Sequence, residues 1–301
     1  MDSKQREQAK FLMKSYNEQA MKYYEELITD LSEENAFSDE TRIYAENTVN
    51  NNMAAWMSVA LEGLEAGTPE TFLDQILNLE DALEMFVIAV MEVDIAPPDD
   101  VLLRLGAFGD AATVALFEMA FSVEWGMKDD EEEELPADLM VAMVALKTVG
   151  QWQYEAAIRP VLDRFATIDR LSEYVADAIR DFVIAFGEDA VPELIYQIEN
   201  AADPGLVGPW EYMLVFLTQI GMVCPAPEIF RVLKESFRRM ENKIYGVLCL
   251  GDYGNPAAIP LLKSYLERNL HLVDRQFYFE SLSVIKRLGG DITDIANPFT
   301  A

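Results

Sequence analysis

The sequence predicts an all-α protein, an α-α superhelix of repeated helix pairs behind a divergent helical N-terminal cap. Three observations predict this fold class. Apolar residues recur at the spacing of one helix face, and no stretch alternates apolar and polar residues as a strand does. Glycines recur at intervals of 33 to 41 residues, the length of two helices with short loops. We predict that these glycines lie in turns: Gly109, Gly150, Gly187, Gly221, Gly254 and Gly289.

The N-terminal part, residues 1–67, is predicted to be a pair of long helices that caps the repeats. Residues 3–32 carry apolar side chains on one helix face, and Ser38 is predicted to cap a second helix that ends near Gly67. The first face comprises Phe11, Leu12, Tyr16, Ala20, Tyr23, Tyr24, Leu27 and Leu31, and the second comprises Val49, Met53, Trp56, Met57, Val59, Ala60 and Leu64.

Residues 68–301 are predicted to hold the repeats. Thr68 and Pro69 restart the chain as a cap and a first helical residue. The run ALEMFVIAVMEV, residues 82–93, is apolar nearly all round but too short to span a bilayer, so it predicts a central packed helix. Ala96-Pro97-Pro98 then predicts a rigid corner.

The clearest copy of the repeated unit is LGDYGNPAAIPLLKSYLER, from Leu250 to Arg268. Gly251 and Gly254 can adopt positive φ, which lets one helix stop and the chain reverse. Asn255 can cap the next helix through its side-chain oxygen. The stretch therefore predicts a helix end, a tight corner and a helix start.

An apolar residue, a proline and a leucine recur at the start of several predicted first helices. They occur in Ile158-Arg159-Pro160-Val161-Leu162, in Val191-Pro192-Glu193-Leu194 and in Ile259-Pro260-Leu261-Leu262. Because Pro260 lies too deep for an undisturbed first turn, we expect a short 3₁₀ entry there. Two second helices are predicted to begin at Asp169-Arg170 and Asp274-Arg275.

This pattern resembles the HEAT repeats of the phycobilisome-lyase type, whose units read roughly as L-G-x-x-G-[DN]-P-x-A-I-P-x-L. The resemblance covers roughly residues 68–290 and departs most between Gly221 and Arg238, where Pro225 and Pro227 replace the usual entry. It implies a HEAT-like solenoid. The matching positions are Leu250, Gly251, Gly254, Asn255, Pro256, Ala258, Ile259, Pro260 and Leu262.

Charge is distributed unevenly over a chain whose formal net charge is −30. Residues 31–135 carry 25 acidic residues against three basic ones, whereas residues 201–301 carry 11 against 10. This asymmetry indicates either solubility or recognition of a basic partner, and it disfavours nucleic-acid binding, which needs a basic stripe. Six adjacent acids predict an exposed interaction loop, an insert at 127–135: Asp129, Asp130, Glu131, Glu132, Glu133 and Glu134.

A basic cluster is the second candidate interaction site, because basic residues are scarce elsewhere. Arg231, Lys234 and Arg238 share one helix face, and Arg239 and Lys243 lie near it. Pairing with acids of a neighbouring repeat is the favoured interpretation, and a ligand-binding patch is the alternative. Likewise, core packing is favoured over an exposed interaction site for Trp125, Trp152 and Trp210.

No constellation of catalytic residues is visible, so the chain is not predicted to be an enzyme, and no cofactor or metal site is predicted. The single histidine, His271, lies in a predicted loop and lacks the partners of a catalytic triad. Cys224 and Cys249 form no CxxC pair and predict buried thiols. No phosphate-binding glycine motif is present.

The function predicted from these observations is a non-catalytic protein–protein interaction scaffold. A curved surface lined by the second helix of each pair would hold another protein with a basic surface. Two alternatives are an accessory subunit in protein modification, which the resemblance to bilin-lyase repeats implies, and an acidic DNA-mimic decoy. The sequence further predicts a cytoplasmic location, no nucleic-acid or membrane partner, and leaves the oligomeric state open.

Overall fold

The structure, a computed structural model, describes residues 1–30, 39–94, 96–126 and 135–299. Within these ranges the chain is all-α, with no strand, as predicted. The first seven α-helices are α1 (Ser3–Asp30), α2 (Asp39–Met57), α3 (Pro69–Asp74), α4 (Leu79–Glu92), α5 (Asp99–Gly106), α6 (Asp110–Phe121) and α7 (Ala137–Gln151).

Eight further α-helices follow, three of them preceded by short 3₁₀ helices. They are α8 (Ile158–Phe165), α9 (Glu173–Phe186), α10 (Val191–Glu199), α11 (Pro209–Val223), α12 (Pro227–Arg239), α13 (Lys243–Tyr253), α14 (Ile259–Asn269) and α15 (Arg275–Arg287). The 3₁₀ helices are Glu155–Ala157, Gly187–Ala190 and Pro256–Ala258. No helix among the described residues combines the length and apolar character needed to cross a membrane.

The chain divides into two compact units. Unit 1 comprises Met1–Val123 with Leu135–Ala145, and unit 2 comprises the rest of the described chain, so the division falls within α7. The predicted boundary between a cap at 1–67 and repeats at 68–301 stays a prediction, and α1 to α6 all belong to unit 1.

Helix α4 is the centre of unit 1, because it packs against α1, α5 and α6. Its Met85, Phe86 and Ala89 are almost completely buried, as the apolar run predicted. Helix α1 also supplies positive charge to this acidic region: Arg6 pairs with Glu84, and Lys14 lies 3.8 Å from Glu92. Part of the negative charge of residues 31–135 is thus compensated inside unit 1.

The prediction for the end of the second helix was wrong, because α2 ends at Met57 and not near Gly67. The chain turns after Met57, and Gly63 adopts a φ of 95° with its Cα facing the ring of Phe11. The Gln8 side chain of α1 donates to the carbonyl of Gly63 and accepts from the amide of Glu65 at 2.8 Å. These tertiary contacts, together with positive φ, favour a turn over a continued helix.

Unit 2 contains four successive helix pairs: α8 with α9, α10 with α11, α12 with α13, and α14 with α15. The first helices α8, α10 and α12 pack side by side in one layer. The second helices α9, α11, α13 and α15 pack side by side in the other. Unit 2 is therefore a two-layer stack of helix pairs.

The predicted turn glycines fall into two groups. Gly109, Gly187, Gly254 and Gly289 have φ values between 55° and 87° and lie at helix boundaries, as predicted. Gly150 and Gly221 lie inside α7 and α11, and Gly251 lies inside α13, so the prediction was wrong for these three. A Cβ on Gly150 would come within 3.1 Å of Phe182, and one on Gly221 within 2.7 Å of Tyr253. These glycines permit close helix contacts.

The predicted helix starts are confirmed where a local cap is present. The Thr68 side chain accepts from Thr71, that of Asn255 from Ala257, and that of Asp274 from Phe277. The expected 3₁₀ entry before Ile259-Pro260 is Pro256–Ala258. Asp169-Arg170 does not begin a helix, because α9 starts at Glu173 and its cap is Ser172.

Candidate functional site

The acidic candidate site, Asp129, Asp130, Glu131, Glu132, Glu133 and Glu134, lies outside the described residues. Only residue 135 of the predicted insert at 127–135 is described. Its role in partner recognition stays a prediction.

The basic candidate site lies along α12, and two of its members contact α10. Arg231 Nη1 lies 2.7 Å from Glu199 Oε1, and the Arg239 guanidinium donates to the carbonyl of Ile198 at 3.4 Å. Arg238 is exposed, and Lys234 Nζ lies 5.7 Å from the Phe230 ring. The structure therefore brings Arg231 and Arg239 into contacts between helices.

Lys243, the last member of the basic cluster, is engaged at the end of α12. Its ammonium group donates to the carbonyls of Phe237 and Arg238 at 2.7 and 2.9 Å. These carbonyls belong to the last turn of the helix, where a cation satisfies free acceptors and the helix dipole. Burial lowers the pKa of Lys243. This lysine thus stabilises the helix end.

Charges on the layer of first helices pair with each other across helices. Arg159 of α8 lies 3.5 Å from Glu193 of α10, and its guanidinium stands 4.9 Å from the ring centre of Tyr196. Arg231 and Glu199 form the corresponding pair between α12 and α10. These contacts pair some of the charges of this layer across helices.

On the layer of second helices, acids and tyrosines lie close together. We call the group formed by Glu173 and Asp177 of α9, Glu211 and Tyr212 of α11, and Tyr245 of α13 the second-helix face. Glu173, Asp177 and Tyr245 are exposed, whereas Glu211 and Tyr212 are half-buried. Because α11 packs against both α9 and α13, residues from three helix pairs form one surface.

The electrostatics of the second-helix face show that its members lie close together. Burial raises the pKa of Tyr212, and Tyr245 and Glu173 raise it further. Burial also raises the pKa of Glu211, whose carboxylate accepts a hydrogen bond from the backbone of Gly208.

Two carboxylates of this face lack a compensating cation. Asp177 is paired with Arg180 at 2.7 Å, but neither Glu173 nor Glu211 forms an ion pair with a described residue. A basic group of a partner would find both uncompensated charge and aromatic surface here.

The sequence predicted the second helices as the binding side, which stays a prediction, and did not single out these residues. The available signal was a tyrosine within the first four residues of successive second helices, namely Tyr174, Tyr212, Tyr245 and Tyr278, of which Tyr278 is buried. Their proximity depends on how the pairs stack, which a single helix pattern does not encode.

The remaining candidate residues have structural surroundings. His271 is exposed between α14 and α15, as expected of a loop residue. Trp125 is buried beneath the guanidinium of Arg164 at 4.5 Å, and Trp152 and Trp210 are half-buried. No group of three or more histidine, cysteine, aspartate or glutamate residues within the described ranges is arranged to hold a metal ion.

Both cysteines are free thiols, and the prediction of burial holds for one of them. Cys249 is buried, whereas Cys224 is partly exposed just after α11.

Comparisons with known proteins give no matching family model, no matching curated protein and no matching solved structure.

Proposed function

We propose that this chain is a non-catalytic protein-binding scaffold of HEAT-like helix pairs, which holds a partner with a basic surface on the second-helix face. The observation that supports this proposal is the surface on which three helix pairs bring acids and tyrosines together. Among the described residues Glu173 and Glu211 form no ion pair, and they lie near exposed or half-buried tyrosines.

The residue types of the second-helix face suit protein recognition. Tyrosine is enriched at energetically important interface positions, because its rigid ring buries a large area while its hydroxyl hydrogen-bonds. Carboxylates without internal partners attract a complementary surface and select against an acidic one.

A direct test is affinity capture from an extract of the source organism, with Tyr212→Ala/Tyr245→Ala compared with the unmodified chain. We expect the double variant to lose a partner that the unmodified chain retains. Tyr196→Ala is the matched control, because Tyr196 is an exposed tyrosine on the first-helix layer. A partner lost equally from the control, or retained by the double variant, would locate the binding surface elsewhere.

The same capture distinguishes the alternatives. An accessory role in protein modification predicts that a catalytic subunit or a modified protein co-purifies. A DNA-mimic decoy predicts a nucleic-acid-binding protein that nucleic acid displaces competitively. Either result would replace the general scaffold proposal with a specific one.

A further inference from the structure

Unit 1 contains a cleft of about 340 Å³ between α1, α2 and the start of α5. Its walls include the rings of Tyr16 and Tyr24 and the apolar side chains of Val49 and Met53. This volume is within the range of sites that hold small ligands or single side chains. The cleft is independent of the second-helix face, since all its lining residues belong to unit 1.

Negative charge is concentrated at this cleft. Asp99 and Asp100, the first two residues of α5, both line it, and neither forms an ion pair with a described residue. Burial raises the pKa of Asp100, and the adjacent Asp99 raises it further. Among the described residues that line the cleft there is no lysine, arginine or histidine. Asp100 is therefore partly desolvated beside an exposed Asp99, and neither carboxylate has a compensating cation among the described residues.

Tyr16 connects the apolar and acidic parts of the cleft. Its ring meets Trp56 edge-on, with centroids 6.0 Å apart and an interplanar angle of 76°, which restrains the ring. Burial, with contributions from Asp99 and Asp100, raises the pKa of Tyr16 to about 12. The phenol thus lies within the field of both carboxylates and stays protonated at neutral pH.

We propose that this cleft binds an organic cation, an alkylammonium or guanidinium group carried on an apolar stem. Asp99 and Asp100 would compensate the charge, the Tyr16 ring would attract the cation, and Val49 and Met53 would cover the stem. A hard metal ion fits less well, because such ions require six or more oxygen ligands. Among the described residues no group of three or more histidine, cysteine, aspartate or glutamate residues is arranged to hold one.

Such a cation can belong to a free amine or to the side chain of a lysine or arginine in another protein. The probes are n-butylammonium, spermidine and short glycine-flanked peptides with one central lysine or arginine. Each is titrated into the full chain by calorimetry, and n-butanol serves as the neutral analogue of butylammonium. Saturable binding of the cations, with no binding of the alcohol, is the expected result.

Variants locate the site. Asp99→Asn/Asp100→Asn should weaken cation binding about tenfold or more, because two nearby charges are removed. Tyr16→Leu should weaken it about threefold or more, whereas Tyr16→Phe keeps the aromatic ring and should bind nearly as the unmodified chain does. The matched control is Asp110→Asn, an exposed first-turn aspartate of α6 outside the cleft, which should leave binding unchanged.

The same titrations test the proposal and show whether the bound cation is a free amine or a protein side chain. Spermidine or butylammonium binding more tightly than the peptides identifies a free amine, and the reverse order identifies a protein side chain. Circular dichroism checks that each variant remains folded, and Asp100→Asn alone replaces the double variant if that variant unfolds. Absence of saturable cation binding, or equal binding by the folded aspartate variants, would overturn the proposal. These outcomes do not depend on Tyr212 or Tyr245, so they are separable from the test of the second-helix face.

Discussion

Gly251 lies in the interior of α13, where its missing side chain permits a close approach to α15. A Cβ there would come within 2.7 Å of Val284 Cγ2 and would also contact the guanidinium of Arg287. Real Cβ atoms essentially never approach so closely, so the neighbouring helix would have to shift. The residue therefore determines the contact between two successive second helices.

We predict that Gly251→Ala destabilises the protein by about 1 kcal/mol, although alanine is the better helix former by a similar amount. Overpacking a filled contact costs about 1–3 kcal/mol and outweighs that gain. In a Val284→Ala background, where the obstructing methyl groups are absent, the same substitution should become neutral or stabilising. Denaturant unfolding of the four chains measures this double-mutant cycle.

Gly254 is the control, because glycine is required there by the backbone conformation and not by a neighbouring helix. Its φ is 77°, and the nearest atom to an added Cβ is the Asp252 carbonyl oxygen at 3.9 Å. Gly254→Val should cost about 1–3 kcal/mol through strain, in both the native and the Val284→Ala background. If Gly251→Ala lowers the free energy of unfolding equally in the native and the Val284→Ala backgrounds, the steric explanation is contradicted.

The two thiols should differ sharply in reactivity. Cys249 is 3% exposed, and burial raises its pKa to about 11. Because the thiolate is the reactive form, Cys249 should react with a disulfide reagent only after unfolding, even when the pH is raised from about 7 to about 9. Cys224, which is partly exposed, should react in the native state, and Cys224→Ser should abolish the native-state reaction. A native reaction that survives this substitution would show that Cys249 is accessible.

At the scale of the element, α12 begins without a side-chain cap of its own. The hydroxyl of Tyr253, from the end of α13, instead bonds both backbone groups of Ala226, the residue before α12. It accepts from the Ala226 amide at 3.1 Å and donates to the Ala226 carbonyl at 2.9 Å. A tertiary contact thus replaces the local capping signal where Pro225 and Pro227 alter the repeat.

We predict that Tyr253→Phe destabilises the protein by about 1 kcal/mol, because the two hydrogen bonds between the Tyr253 hydroxyl and Ala226 are lost while the ring remains. Thermal unfolding measures the change. Tyr245→Phe removes a hydroxyl from an exposed ring and should have little effect. Equal melting temperatures for the Tyr253 variant and the unmodified chain would show that the double hydrogen bond adds nothing to stability.

Helix starts could be predicted from sequence where their cause is local. Thr68, Asn255 and Asp274 each accept a hydrogen bond from an amide two or three residues later, so a short pattern suffices. The end of α2 could not be placed, because Gln8 and Phe11 of another helix hold the turn at Gly63. A glycine in a turn and a glycine at a helix contact also look alike in the sequence, because the contacting helix is distant along the chain.

At the scale of the whole chain, the candidate site was harder to predict than the fold. The all-α class follows from periodicity within each helix, which the sequence displays directly. Tyr212 and Tyr245 lie 33 residues apart and meet only because α11 and α13 pack together. The cleft likewise brings together Tyr16 and Asp99, which are far apart in the sequence of unit 1. Such proximity is a property of packing between elements.

The net charge leads to a kinetic prediction for any basic partner. Opposite charges accelerate encounter, and this effect should fade as the Debye length falls from about 10 Å at 0.1 M salt to about 3 Å at 1 M. Replacing Glu131, Glu132, Glu133 and Glu134 by glutamine should slow association more than it changes dissociation. Stopped-flow or surface-binding kinetics with the captured partner measures both rates.

Neutralising Glu199 and Glu235 provides the comparison, because both already pair with Arg231. Replacing these two residues by glutamine should lower the association rate less, per charge removed, than replacing Glu131 to Glu134. An association rate that is the same at both salt concentrations would mean that the acidity of residues 31–135 serves another purpose, such as solubility.

The stacked pairs of unit 2 also have a consequence for how this part of the chain folds. Each pair packs chiefly on the pair next to it along the chain, so forming a contact closes only a short loop. Low sequence separation between contacting residues favours rapid folding. A nucleus can form at any one pair and recruit its neighbours in turn. The close contacts at Gly221 and Gly251 determine how strongly neighbouring helix pairs interact. The strength of these interfaces in turn determines how cooperatively the stack folds.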